Sequence, residues 1–141
     1  MNADDLLRRA GWTEGRRVQV QPALDRLSDA GYETWEELAA MLAEFSLLEV
    51  FDAAHEKHLW IDAGRAALDA DPDWIRDYSS FIKKSLSPVG GYSHMGVMFG
   101  SDSVFYGGYD REFGPLGSSV QEVVDGLFCM TPPVRLSMIV E

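Results

Sequence analysis

The stretch "VGGYSHMGVMFGSDSVFYGGYD", residues 89–110, holds six of the 13 glycines in a 141-residue chain. It admits three architectures with different consequences: a phosphate-binding loop, a turn presenting a nucleophilic serine, or a β-hairpin. A phosphate loop requires Gly-x-Gly-x-x-Gly, or a closing Gly-Lys-Ser/Thr, and "GYSHMG" offers neither. The segment also runs into a strand, so no helix N-terminus faces an anion. A nucleophile elbow needs Gly-x-Ser-x-Gly between a strand and a helix. Gly91-Tyr92-Ser93-His94-Met95-Gly96 has one residue too many, and its glycine turn leads into a strand. Periodicity decides the matter. Met95, Val97 and Phe99 alternate with His94, Gly96 and Met98, "GSDS" supplies a turn, and "VFYGGY" returns. The stretch is therefore predicted to be a hairpin, its glycines permitting strand entry, bulging or close backbone approach.

Upstream the periodicity is helical. Asn2 is placed to cap a short helix through "ADDLLRRA", with Asp4 and Asp5 at its positive end, Arg8 and Arg9 at its negative end, and Gly11 as a stop. A second helix starts near Pro22 and carries Leu24 and Leu27 towards Gly31. A third is predicted from a Thr34–Glu37 capping box, with Trp35, Leu38, Ala39, Leu42 and Phe45 facing the core. "LLEVF" and "HLWI" then read as strands around the polar "DAAHEK", and "DAGRAALDA" as a turn or short helix. "DPDWIRDYSSFIKK" is predicted helical, with Asp71 as N-cap and Trp74, Tyr78, Phe81 and Ile82 inward; "SPVGG" is predicted to break it. After the hairpin come a polar loop and a helix in "SSVQEVVDGLF", capped by Ser119 and Glu122, with Val120, Val123, Val124 and Leu127 on its apolar face. "TPP" ends that helix, and "VRLSMIVE" is left as an edge strand or a mobile tail.

Composition narrows the function. With 46% hydrophobic, 11% aromatic and 25% charged residues, the chain is a folded globule of one domain. A net charge of −11 repels nucleic-acid phosphates and favours basic partners, although acidity also serves solubility. One cysteine, Cys129, forms no internal disulfide, and neither a signal sequence nor a membrane-length apolar run is present, so a cytoplasmic protein is expected. His55, Glu56 and His58 lack the four-residue histidine spacing of a zincin, with only His94 and Cys129 as distant additions, so no metal is expected. Asp69, Asp71 and Asp73 open like a calcium loop, but Trp74 and Ser80 stand where Gly and Glu are required. Carboxylates are plentiful, and none is singled out as catalytic.

Several short segments, in order, resemble the third family of the SUKH superfamily, which consists largely of bacterial immunity proteins. They are "AGWTEGRRV" (10–18), "MLAEFSLLEV" (41–50), "LWIDAGRA" (59–66), "SPVG" (87–90), "VMFGSDSVFYGGYD" (97–110) and "LGSSVQEVVDGLF" (116–128). Ser46-Leu47 replaces a usual glycine pair, and Ser103 a usual turn glycine. The resemblance implies an α+β, SUKH-like single domain, mainly antiparallel sheet flanked by helices, over residues 1–130, with 131–141 as a C-terminal tail. It implies a non-enzymatic binding protein that neutralises a polymorphic toxin directly, without cofactor. The acidic charge suits a basic toxin domain such as a nuclease. Partner contacts are expected among exposed acids and aromatics near the hairpin and the "WID" strand: Trp60, Asp62, Tyr92, Asp102, Tyr106 and Asp110. Two alternatives stay open: a regulatory or adaptor module of the same fold, and a hydrolase using an unrecognised carboxylate or Ser93.

Overall fold

The computed structural model describes residues 1–141. Local signals set the first helices. Asn2 accepts from the Asp5 N–H while the Asp5 carboxylate accepts from the Asn2 N–H, starting α1 (Ala3–Arg9) with a reciprocal cap. Gly11, at φ 109°, turns the chain away. α2 (Gln21–Asp29) carries Pro22 in its first turn and buries Leu27. α3 (Glu36–Phe45) buries Leu38, Leu42 and Phe45. The predicted Thr34–Glu37 capping box does not form. The N-cap is Trp35, which makes no side-chain cap bond, and its indole stacks on Phe99 with centroids 6.2 Å apart. Packing of that ring, rather than a hydroxyl cap, fixes where the helix begins.

Seven strands form one antiparallel meander in chain order. They are β1 (Leu48–Phe51), β2 (His58–Ile61), β3 (Leu86–Tyr92), β4 (Met95–Gly100), β5 (Phe105–Tyr109), β6 (Glu112–Gly117) and β7 (Met138–Ile139). β7 brings the tail back onto β6, pairing Met138 with Phe113. α4 (Ala63–Asp69) and α5 (Pro72–Ile82) connect β2 to β3. Asp62 caps α4 by accepting from the Arg65 N–H, and Asp71 caps α5 by accepting from Asp73 and Trp74. α6 (Val120–Val124) starts with Ser119 accepting from the Glu122 N–H and continues as a wider π-helical turn over Asp125–Cys129.

Two expectations are corrected in the sheet. "SPVGG" does not break the chain into a turn; it is the body of β3, a central strand, and the turn falls at Ser93-His94. Pro88 is tolerated because the register shifts between Pro88 and Gly90, where a ladder donor is not required. The polar loop expected after the hairpin is β6, which pairs with β5 along its length around a similar irregularity. A third correction lies in α5. Its buried side chains are Ile75 and Tyr78, whereas Phe81 is 48% exposed on the solvent side.

Alternation along the strands sends apolar side chains to both faces of the sheet. One face is closed by α1, α2, α3 and α6 over a cluster of 22 buried residues, including Leu7, Leu27, Leu42, Val50, Val89, Val97, Phe105 and Val124. The opposite face carries a smaller cluster of seven: Ile75, Tyr78, Leu86, Met98, Tyr106, Phe113 and Val140. Here α5 lies over part of the sheet only.

Candidate functional site

The partly covered face contains a row that the register makes visible. Trp60 pairs with Gly91, Gly91 with Gly96, Gly96 with Gly108, and Gly108 with Phe113. Three adjacent strands thus present glycine at the same level, bounded by an aromatic residue on each side. Side chains fill two of these positions from elsewhere. A Cβ at Gly91 would lie 2.6 Å from the Trp60 indole, so that ring lies flat across β3. A Cβ at Gly108 would overlap the Tyr78 ring, which descends from α5 and stacks on Phe113 with centroids 4.7 Å apart. Gly96 is different. It is exposed, and a Cβ there would meet nothing nearer than the Gly108 carbonyl oxygen at 3.7 Å.

Above Gly96 the helices and the β3–β4 turn enclose a groove of about 240 Å³. Trp60, Arg65 and Asp69 lie on one side, Asp71 and Trp74 come from the start of α5 and Tyr78 from its middle, and Ser93 and His94 close the turn end. The aromatic rim is continuous: Tyr109 meets Trp74 edge-on at 5.4 Å and His94 at 4.5 Å. Arg65 lays its guanidinium 3.9 Å from the Trp60 ring centroid, and its Nε lies 3.5 Å from Asp69 Oδ2. The Tyr78 hydroxyl donates to the Asp110 carbonyl at 2.5 Å. Its phenol is pushed up to about 12, chiefly by burial and then by the nearby Asp110, Asp71 and Asp77 carboxylates.

The polar groups of the groove are mostly engaged within the chain. Ser93 Oγ lies 3.3 Å from His94 Nδ1, but the two are neighbours on an exposed turn, and no carboxylate orients the other ring nitrogen. Asp69 is engaged by Arg65 and Asp71 by the start of α5. The volume also falls below the roughly 300–1,000 Å³ typical of small-molecule sites, while remaining ample for one inserted side chain.

The six residues singled out in the sequence do not form one patch. Trp60 is half-buried in the groove, and Asp110 lies exposed just beyond it, its carbonyl held by Tyr78. Asp62 is half-buried and caps α4. Tyr92, also half-buried, packs against the closed face, edge-on to Phe128 at 5.7 Å, and its phenol is raised by burial and by Asp52. Asp102 and Tyr106 pair with each other beside the β4–β5 turn, phenol to carboxylate at 2.6 Å. Tyr106 is only 7% exposed, and burial followed by that bond pushes its phenol up to about 12. Sequence reasoning missed Gly96 and Arg65 as groove residues and Tyr109 at its rim; Gly96 is placed by cross-strand register and Arg65 by the packing of α4, neither of which the sequence states. Elsewhere, His55 and His58 both stack on Phe51, at 4.9 and 4.3 Å, and His58 Nε2 lies 3.1 Å from Glu49.

A family model described as SUKH-3 immunity protein matches residues 1–129. No curated protein and no solved structure matches the chain.

Proposed function

The chain belongs to the SUKH-3 immunity protein family, and on that premise we propose that it neutralises a cognate toxin domain by direct binding, using the partly covered sheet face. The family match over residues 1–129 carries the proposal. The charge supports the choice of partner. With 23 acidic side chains against 12 basic ones, the chain attracts a basic toxin, a nuclease among them, and orients the encounter. Area is sufficient as well. A standard interface takes about 800 Å² per partner, about a tenth of the 7651 Å² surface here. In this reading the contact centres on the groove between Trp60 and Asp110, while Asp62, Tyr92, Asp102 and Tyr106 support the elements around it.

The test is co-expression with the toxin encoded beside this gene, followed by titration of the purified pair. Growth rescue and a stable complex are expected, with an association rate that falls about tenfold or more between low and physiological salt. Absence of both rescue and complex contradicts the proposal. A salt-independent rate contradicts the electrostatic part alone.

A further inference from the structure

We propose that the glycine-floored groove above Gly96 receives one arginine side chain from the partner, as the anchor of the complex. The inference rests on the binding role above and adds the chemistry of its central contact.

Three observations point to a guanidinium. The first is shape. The floor at Gly96 lacks a side chain, a Cβ there would just touch the Gly108 carbonyl oxygen at 3.7 Å, and the rings around it leave a slot open from the solvent side. A flat group on a flexible stem enters such a slot, and buried arginines are among the commonest interface anchors. The second is the chemistry of the walls. The rim presents Trp74, Tyr109 and His94, and Trp60 already carries the Arg65 guanidinium on its ring. With Gly91 beneath Trp60 and Arg65 above it, that ring is occupied, and the rings left to stack on an incoming cation are Trp74, Tyr109 and His94. The third is charge. Two carboxylates, Asp69 and Asp71, face one guanidinium, Arg65, among the lining residues. One Asp71 oxygen, Oδ1, accepts both capping N–H groups, leaving the other available to a ligand. A neutral aliphatic side chain would use the slot but not the carboxylates, and an anion would meet them unfavourably.

The test uses the full chain, ¹⁵N-labelled, titrated with N-acetyl-arginine methylamide and with its uncharged isostere N-acetyl-citrulline methylamide. Two variants accompany it. Gly96→Val places a β-branched side chain where a Cβ meets no atom closer than 3.7 Å, filling the slot without disturbing the strand. Asp71→Asn keeps a good helix cap and removes the charge, so it remains informative should the first variant fold poorly. Saturable shifts are expected at the Gly96 and Gly108 amides and the Trp60 and Trp74 indole N–H groups. Affinity should fall about tenfold or more in Gly96→Val, and about threefold or more in Asp71→Asn and with citrulline. Scattered or absent shifts, equal affinity for citrulline, or full binding by folded Gly96→Val would overturn the inference. The toxin arm separates the two claims. If wild type neutralises the toxin and folded Gly96→Val does so equally well, the groove is not the anchor and the binding role stands. If arginine fills the groove but no toxin is bound, the toxin role falls and the ligand chemistry of the groove stands.

Discussion

The two faces of the sheet are built from the same alternating strands yet finished differently. Under α1, α2, α3 and α6, the row Ile61, Gly90, Val97, Gly107 and Gly114 also contains glycines, but Met95 and Leu136 fill the space over Gly107 and the tail at Leu136 and Ser137 covers Gly114, so the result is a closed core. Under α4 and α5, the corresponding row on β3, β4 and β5 is Gly91, Gly96 and Gly108. Two of those glycines are used by rings from Trp60 and Tyr78, and the third is left open. The contrast separates two tasks. One face supplies folding energy through buried apolar area; the other gives up some of that area and keeps a shaped, acidic, aromatic recess.

Substitutions can break this division or sharpen it. The largest effect is expected on the closed face. Leu42 is fully buried, so Leu42→Ala should cost about 2–5 kcal/mol in urea unfolding while the folded fraction still binds partner. Lost binding by the folded fraction would show that the closed face is also an interface. Gly91→Ala comes next. Its Cβ would sit 2.6 Å from the Trp60 indole, forcing that ring off the floor at about 1–3 kcal/mol and weakening partner binding with it. An unchanged melting curve would mean that Trp60 does not rest on β3 in solution.

Alkaline pH should weaken the open side most. Tyr78 and Tyr106 both belong to the smaller cluster, and burial, aided by nearby carboxylates, pushes both phenols up to about 12. A phenol with a raised folded-state value holds its proton more tightly folded than unfolded. Its contribution is therefore complete below the ordinary value near 10 and is lost as pH rises from there through about 12. Ultraviolet titration should resolve two late tyrosines, and stability should decline across that same window. Ionisation of all tyrosines near the ordinary value would contradict the packing of this face. The smallest effect is assigned to Ser93→Ala, which should leave neutralisation nearly unchanged because the Ser93 hydroxyl makes its one hydrogen bond with its neighbour His94, on the exposed turn end of the groove. Loss of protection by a folded, toxin-binding Ser93→Ala would instead give the open face a chemical role.

Which parts of this were legible beforehand follows from where their signals lie. The caps at Asn2 and Asp71 are read within a few residues and form as expected, and of the Ser119–Glu122 box the Ser119 half forms. Trp35 is a counterexample, because its position depends on Phe99, far along the chain. β3 and β6 resemble loops in isolation, since Pro88, Gly90, Gly91, Gly114 and Pro115 weaken strand propensity. Only their neighbours explain them. At Gly90 a Cβ would overlap the Trp60 carbonyl, a constraint set by β2. The site was harder still. Trp60 could be picked out by type, but the recess beside it exists because three glycines from three strands fall in register. Tyr106 could equally have faced solvent; its burial depends on α5 and the tail covering that part of the sheet.

Hydrogen–deuterium exchange on the chain alone and saturated with its cognate toxin domain tests the central claim most directly. The account predicts new protection at the start of α5, along α4 and at the β3–β4 turn, with α1 and α3 unchanged. Protection confined to the helices of the closed face, or none with the toxin fully bound, would contradict it.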